Sequence, residues 1–267
     1  MEQGRQTSGK ARVIVVGNQK GGSGKSTVAM HLIVGLARSG KTVGSVDLDA
    51  GQATLTRYLE NRLAFAEKRG MELPSPEHVP LAPGHNPEAD QRRLEHVMLA
   101  FHEQVDVVVI DTPGTDTALA RCAHSLADIL ITPLNDSFVD LDVLARVDGD
   151  TMAVLGPSPY AAAVWEAKQL RARRDGGAIR WIVLRNRLSH LDARNKREME
   201  EALSDLSRRI GFTVIPGLGE RVIYRELFLN GLTLLDLKDQ GTGIDMKMSH
   251  VAARQELRGL LSAVGVE

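Results

Sequence analysis

The stretch VIVVGNQKGGSGKST, residues 13–27, decides the fold of this chain. Four apolar residues lead into a turn rich in glycine, and Val28, Leu32 and Leu36 then follow Lys25 at helical spacing. The glycines let the backbone bring its N–H groups close to an anion, and the N-terminus of the helix adds the positive end of its dipole. The stretch therefore predicts a phosphate-binding loop between a buried strand and a helix.

The polar residues of the loop have predicted roles in holding ATP and Mg²⁺. Lys25 is expected to reach the β- and γ-phosphates, the Ser26 hydroxyl to bind Mg²⁺, and Thr27 to help hold the α-phosphate. The backbone that would surround the phosphates belongs to Gly21, Gly22, Ser23 and Gly24. The usual pattern GxxxxGK[ST] is not met, because Gln19 replaces its first glycine and a second lysine, Lys20, follows. One phosphate site does not need this additional charge, so Lys20 could neutralise a γ-phosphate from elsewhere.

Two further apolar runs end in acidic residues. Residues 105–110 are followed by DTPG, which places Asp111 at the carboxyl end of a buried strand, where it would hold Mg²⁺ directly or through water. Residues 42–46 are followed by DLD, and alternation puts Asp47 and Asp49 on one side of the chain. A carboxylate there could orient the attacking water, and Asp49 is also a candidate ligand of Mg²⁺.

Short runs rich in Val and Ile recur along the chain, apolar without alternation, as in buried parallel strands. They lie at residues 12–16, 42–46, 105–110, 129–132, 181–184 and 212–215. Helical periodicity between them predicts an α/β fold, a mostly parallel sheet with helices on both faces. Residues 1–10 are expected to be a disordered tail and 11–267 a single P-loop ATPase domain.

The segment 70–87 breaks this pattern with five prolines. Proline can neither donate to a strand ladder nor continue a helix, so the segment is expected to be an exposed insertion. Contact with a partner and simple mobility are both open interpretations of such a loop.

Composition excludes several classes of protein. A net charge of −1 argues against a protein that coats nucleic acid with its whole surface, although it allows a local basic patch. No apolar run approaches the roughly 20 residues needed to cross a bilayer, so a cytoplasmic location with no membrane partner is expected. The single cysteine is too few for an iron–sulfur reductase that bridges two subunits. The C-terminal RQELRGLLSAVGVE has no aromatic residue, and packing against the sheet is preferred over membrane binding.

The motifs KGGSGKST, DLD and DTPG together resemble the ParA/MinD superfamily of deviant Walker A P-loop ATPases, and the likeness extends over most of the chain. Within that superfamily the chain is most similar to the MipZ family of division-site regulators. The stretches that carry this likeness include ITPLNDSFVDLDVL, VWEAKQLRA, WIVLRNRL, RVIYRELFLNGLTLLDL and SHVAARQELRGLL. A ParA-type chromosome or plasmid partition ATPase and a P-loop small-molecule kinase or ligase remain as alternatives.

The resemblance implies a mechanism for particular residues. Lys20 matches the signature lysine that enters the partner's site, which makes an ATP-dependent homodimer. Asp49 matches the residue that supports slow hydrolysis, with Lys20 and Lys25 as the other catalytic residues. Asn186 matches the position that reads the adenine edge, and Pro216 with its neighbours would cover the base. The implied partners are ParB, FtsZ, whose assembly is inhibited, and non-specific double-stranded DNA, with the ATP-bound dimer on the nucleoid.

A regional excess of positive charge fits the implied DNA binding. Residues 166–225 contain 14 Lys or Arg against 8 Asp or Glu. After Asp192, a plausible N-cap, a helix over 193–210 would bury one apolar face formed by Met199, Leu203, Leu206 and Ile210. The residues near its opposite face are Arg194, Arg197 and Arg208, with Lys196 at the flank and Arg221 and Arg225 as possible additions. An ordinary solvated helix face is the alternative interpretation.

Overall fold

The computed structural model of the chain describes residues 10–49, 51–147, 154–188, 193–239, 241–243 and 247–265. The predicted tail, except for Lys10, and the predicted cap Asp192 lie outside these residues. So do the side chains of residues 193–196, which include Arg194 and Lys196.

Seven parallel strands form one sheet in the order β3-β2-β4-β1-β5-β8-β9. Their bounds are β1 Arg12–Val16, β2 Val43–Asp47, β3 Glu77–Pro80, β4 Val107–Asp111, β5 Ile129–Asn135, β8 Arg180–Leu188 and β9 Thr213–Gly219. A separate antiparallel pair is formed by β6 Ala145–Val147 and β7 Val154–Pro157. The predicted α/β fold is confirmed, and all six apolar runs lie on strands of the sheet.

Helices cover both faces of the sheet because its strands are apolar on both sides. In β1, Val13 and Val15 face one hydrophobic core, and Ile14 and Val16 face the other. The first core includes α3 Pro87–Gln104, α4 Ala118–Leu126, α6 Pro159–Asp175 and α7 Ala193–Ile210. The second includes α1 Lys25–Arg38, α2 Thr54–Arg69, α8 Ile223–Phe228 and α9 Met248–Ala263, while α5 Phe138–Leu141 is a single turn. This arrangement leaves the ends of the strands open for a binding site.

The expectation that residues 70–87 are an exposed insertion was wrong in part. Residues 77–80 form the edge strand β3, which pairs in parallel with β2. An edge strand tolerates proline because the backbone N–H groups on its outer side have no neighbouring strand to donate to. Pro80 is the last residue of β3 and is paired with Asp47 of β2. The last of the five prolines, Pro87, stands in the first turn of α3, where Asn86 caps the helix by accepting from the N–H of Glu88 at 2.9 Å.

The C-terminal helix α9 packs on β9 and α1, as preferred from the sequence. Its buried residues include Leu257 and Leu260. Leu261 lies so close to α1 that a Cβ added at Gly35 would stand 2.4 Å from its Cδ2. Among the described residues, no helix combines the length and the apolar character that crossing a membrane requires.

His124, in α4, is buried next to the strand that leads into the glycine turn. It is 3% exposed, neither ring nitrogen has a hydrogen-bond partner among the described residues, and burial lowers its pKa to about 4. The folded protein therefore holds it neutral, whereas the unfolded chain protonates it near pH 6.5. As the pH falls from 6.5 to 4, only the unfolded state gains this proton, so the folded state loses stability.

We predict that His124→Leu reduces the loss of stability on acidification. The measurement is the free energy of unfolding in urea at pH 7.5 and at pH 4.5. Between these two pH values, the wild type should lose up to about 3 kcal/mol more of this free energy than the variant, since each unit of pKa shift is about 1.4 kcal/mol. His31, also buried with a pKa of about 4, supplies part of the dependence that remains. His85→Gln, at an exposed position, is the control and should behave as wild type. Equal acid sensitivity of the His124 variant and the wild type would contradict the prediction.

Candidate functional site

The predicted acidic residues and the glycine turn meet at one edge of the sheet. Strands β2, β4 and β1 are neighbours, and the pairing aligns Asp111 with Val16 on one side and with Asp47 on the other. Because the strands are parallel, the chain leaves all three at the same edge. The glycine turn therefore begins beside both acidic strand ends.

The phosphate-binding loop has the geometry that its glycines suggested. Gly24 precedes α1 with φ +88°, a conformation that favours glycine, and a Cβ there would lie 2.3 Å from Asn186 Nδ2. Asn186 Nδ2 donates to the carbonyl of Ser23 at 2.8 Å. The Lys25 ammonium donates to the carbonyl of Lys20 at 3.1 Å. Side chains on both sides thus hold the turn open as a cradle.

A buried chain of hydrogen bonds fixes the start of the loop. Tyr160 donates its hydroxyl hydrogen to the carbonyl of Gly17 at 2.8 Å, so its oxygen must accept from Thr132, also at 2.8 Å. Thr132 in turn accepts from the indole N–H of Trp181 at 2.9 Å. The amide of Asn18 donates to the carbonyl of Pro133 at 2.6 Å. The loop is therefore anchored to β5, β8 and α6, which limits its movement.

A basic and an acidic side chain lie buried beside the cradle. Lys25 is 7% exposed, and burial lowers its pKa, while Asp111 and Asp49 raise it. Asp111 is fully buried, and neither of its carboxylate oxygens has a hydrogen-bond partner among the described residues. Burial raises its pKa to about 8, in spite of the Ser26 hydroxyl and Lys25, which lower it. An unsatisfied buried carboxylate next to a hydroxyl fits the ligand chemistry of Mg²⁺.

The two carboxylates of the DLD motif have different environments. Asp47 is buried and accepts from the backbone N–H and the hydroxyl of Thr56, at 3.0 and 2.8 Å, and from the N–H of Asp49 at 2.9 Å. Asp47 therefore stabilises the start of α2. Asp49 instead lines the cavity over the glycine turn. The carboxylate of Asp49 is therefore accessible from this cavity.

Two cavities open beside the loop and meet each other. The first, about 640 Å³, is lined by Gly21, Gly22, Gly24, Lys25, Ser26, Thr27, Asp49, Gln52, Thr54, Pro113, Gly114, Thr115 and Arg187. The second, about 520 Å³, is lined by Gly24, Thr27, Val28, Thr54, Asn186, Arg187, Leu218, Gly219, Glu220, Arg221, Tyr224, Arg225, Phe228 and Leu229. One end is thus polar and glycine-rich and the other has aromatic and aliphatic walls, an arrangement suited to a phosphate chain and a base.

Most of the predicted nucleotide residues are brought together, and three predicted positions lie elsewhere than expected. Pro216 is exposed in β9 and lines neither cavity, whereas Leu218 and Gly219, farther along that strand, line the second. Arg221 and Arg225 line the same cavity, and Arg221 forms an ion pair with Glu256 at 2.5 Å. The sequence pattern linked both arginines to DNA and did not predict this location.

The cavities also contain residues that the sequence analysis missed. Thr54, at the start of α2, and Tyr224 with Phe228, on α8, line them. Gly114 packs on the glycine turn, since a Cβ there would lie 3.0 Å from Gly21 Cα. Of these residues, only Gly114 could have been predicted from the sequence, because it ends the DTPG motif that contains Asp111.

Lys20 lies outside the two cavities. It is not among the residues lining the two cavities, and its ammonium forms an ion pair with Asp140, on α5. Asp140 also accepts from the backbone N–H of Asn135 at 3.2 Å. The Lys20 side chain remains 36% exposed, so its charge is satisfied within the chain but stays close to the surface.

The predicted basic helix α7 has the predicted bounds and the predicted buried face. Met199, Leu203 and Leu206 are at most 3% exposed, and Ile210 is also buried. Arg197 is exposed, and Arg208 is exposed but paired with Asp205 at 2.5 Å. The arginines on this face are therefore partly neutralised in the single chain.

Together, the parallel sheet, the glycine turn with its additional lysine, and the buried aspartate at the end of β4 define a P-loop ATPase of the deviant Walker A type. The family model described as ATPase MipZ matches residues 12–267. The chain belongs to this family, and the predicted resemblance is confirmed.

Relatives and solved structures support the same class. The chain is 33% identical over 140 residues to an uncharacterised ATP-binding protein of Methanocaldococcus jannaschii, covering 47% of this chain and 53% of that protein. It is 46% identical over 57 residues to the septum site-determining protein MinD of Helicobacter pylori, 21% of each chain. The match thus spans about half the length of the first relative and about a fifth of the second.

The fold also matches solved structures at low sequence identity. McdA of Cyanothece in complex with ATP aligns with a TM-score of 0.62 and 17% identity, covering 97% of this chain and 98% of that one. MinD of Pyrococcus horikoshii in complex with Mg-ADP aligns with a TM-score of 0.57 and 18% identity, covering 96% and 98%. At such identities the likeness shows the fold, and the ligands are those of the matched proteins.

Proposed function

We propose that this protein is an ATP-dependent dimerising switch that positions the cell-division site and is reset by slow ATP hydrolysis. The observation that carries the proposal is the pair of lysines in the loop. Lys25 lines the first cavity, over the glycine turn, which we call the phosphate cavity. Lys20 lies outside this cavity and forms an ion pair with Asp140. A second cation that the chain does not use in its own cavity is suited to a phosphate bound by another copy.

Different residues of the cradle would have different roles in nucleotide binding and hydrolysis. Lys25 and the N–H groups of the turn would bind the phosphates, and Ser26 and Asp111 would hold Mg²⁺, with Asp49 as a further candidate ligand. Mg²⁺ supplies positive charge that offsets the negative charge of the phosphates. Asp49, with its accessible carboxylate, would orient the attacking water. Asn186 retains one amide hydrogen and one lone pair of its oxygen, which an adenine edge could use.

A lysine from a second copy would act only after the two copies meet. It would stabilise charge that develops on the transferred phosphoryl group, as an arginine finger does. Hydrolysis would remove the γ-phosphate that Lys20 contacts, and the dimer would separate. Slow turnover therefore sets the lifetime of the dimer, which is the property of a switch.

We predict that Lys20→Ala prevents ATP-dependent dimerisation. With Mg²⁺ and a non-hydrolysable ATP analogue at micromolar protein, the wild type should have twice the chain mass of 29.1 kDa by light scattering after gel filtration. The Lys20 variant should keep the mass of one chain, because the γ-phosphate charge remains uncompensated across the interface. ADP should leave both proteins monomeric.

Lys41→Ala, at an exposed position outside the loop, is the matched control and should dimerise as the wild type does. Asp140→Asn removes the ion pair that holds Lys20 and should lower the analogue concentration needed for dimerisation. A wild type that takes up the analogue but stays monomeric would refute the switch, and one that takes up none would also refute the nucleotide site.

Binding of non-specific double-stranded DNA by the dimer is the second element of the proposal. Arg197 and Arg208 are exposed on α7 opposite its buried face, and the helical spacing of the sequence predicts Arg194 on the same side. Dimerisation doubles the number of phosphate contacts, and each neutralised phosphate releases counterion, so affinity rises steeply. The ATP-bound dimer would then reside on the nucleoid and the monomer in the cytoplasm.

We predict that charge reversal at Arg194 and Arg197 weakens DNA binding and leaves dimerisation intact. Loss of two phosphate contacts per chain should reduce the retention of duplex DNA in a filter-binding assay. It should also make the affinity for DNA less dependent on salt concentration. Reversal of Lys68 and Arg92, exposed on α2 and α3, changes the charge equally and should retain binding. Unchanged retention by the Arg194 and Arg197 variant would remove this helix as the DNA surface.

The proposed partners are ParB and FtsZ, and membership of the MipZ family supports them. A partition ATPase of the ParA type shares the nucleotide chemistry and differs in what its dimer acts on. The Asp49→Ala variant is expected to bind ATP without hydrolysing it. We predict that this variant inhibits FtsZ assembly when ATP is present, as measured by light scattering and sedimentation. The double variant that also carries Lys20→Ala should have no effect. Undisturbed FtsZ filaments with the Asp49 variant would favour the partition role.

A further inference from the structure

The two cavities form one cleft with a narrow junction. Four residues line both of them, namely Gly24, Thr27, Thr54 and Arg187. A nucleotide that fills the cleft has its phosphates over the glycine turn and its base between the apolar walls. The junction is then where the ribose and the α-phosphate lie.

Arg187 is the one charged residue of the four, and it carries a strained backbone. Its φ of +52° lies in the left-handed region, which is unfavourable for a residue that carries a Cβ. The Oδ1 of Asn186 accepts from the N–H of Arg187 at 2.9 Å and helps hold this conformation. A strained residue at a binding cleft points to a function that the strain serves, because glycine would fit the same backbone without cost.

As far as the described residues extend, the charge of Arg187 is available for a ligand. In the described part of the chain, no acidic side chain forms an ion pair with Arg187, unlike Arg185, which pairs with Asp136 at 2.5 Å, or Arg221, which pairs with Glu256. Asn186, which fixes the Arg187 backbone, is itself bonded to the loop at Ser23. The backbone of Arg187, from which the side chain extends, is therefore coupled to the position of the cradle.

We infer that Arg187 is a further nucleotide-binding residue, which binds the α-phosphate end of an adenine nucleotide. The inference rests on the proposed function and assigns Arg187 a part in it. Guanidinium binds phosphate oxygens with charge-assisted hydrogen bonds. Since ADP and ATP share the α-phosphate, Arg187 supports both equally, whereas Lys20 would act on ATP alone.

The test measures affinity for ADP and for ATP by calorimetry in four proteins. These are the wild type, Arg187→Gly, which keeps the backbone conformation without the charge, Arg187→Lys, which keeps the charge, and the surface control Arg92→Ala. We expect Arg187→Gly to bind both nucleotides about tenfold or more weakly, by the same factor, and Arg187→Lys to recover most of the loss. The control should bind as wild type. Each measurement is repeated in a Lys20→Ala background, where the proposed dimerisation does not contribute.

Thermal unfolding without nucleotide separates this role from a structural one. Arg187→Gly relieves the backbone strain, so its melting temperature should equal or exceed that of the wild type. Wild-type affinity of Arg187→Gly for both nucleotides would overturn the inference and leave the proposed function standing. Weakened binding of ATP with unchanged binding of ADP would also overturn it and would place Arg187 at the γ-phosphate. A wild type that binds neither nucleotide would overturn the proposed function itself.

Discussion

The in-register parallel pairing of β2, β4 and β1 is the constraint on which the rest of the structure depends. It sets Asp47, Asp111 and Val16 side by side, so the residues that follow them leave the sheet at one edge. Both faces of these strands are buried under helices, which keeps water from the carboxylate of Asp111. The geometry of the cradle and the unusual electrostatics beside it therefore have a common origin in the sheet.

Burial of Lys25 and Asp111 beside the cradle destabilises the folded chain, and a bound ligand can offset this cost. Among the described residues, the Asp111 carboxyl has no hydrogen-bond partner and the Lys25 ammonium donates to a backbone carbonyl, and burying such groups costs stability in a folded interior. The hydrogen-bond chain from Trp181 through Thr132 and Tyr160 to Gly17 opposes collapse of the loop onto these charges. Phosphate and a divalent cation are the groups that would satisfy both charges at once, so the site is organised before its ligand is present.

Sequence patterns predicted the parts of the molecule that depend on neighbours along the chain. The glycine turn, Asp111 and the bounds of α7 follow from local spacing, and the structure has them there. The strand at 77–80 was missed because its stability comes from pairing with β2, a contact between distant residues, while its prolines signal a loop. The same reason applies to Asp47 and Asp49, since only the contact of Asp47 with Thr56 shows which carboxylate is structural. Arg187 gave no signal, because left-handed backbone at an arginine is imposed by the fold.

Lys25, Arg187 and Lys20 occupy three different electrostatic environments near the cleft, and these differences suggest three roles. Lys25 is buried in the phosphate cavity, where its charge is held for the nucleotide of its own chain. Arg187 lies at the junction of the two cavities, where a diphosphate and a triphosphate present the same group. Lys20 is held outside by Asp140 and must break that ion pair to meet any phosphate. In the proposed dimer, the γ-phosphate presented by the second copy would compensate for breaking this ion pair. The affinity of one chain for its nucleotide and the association of two chains could then be tuned by separate residues.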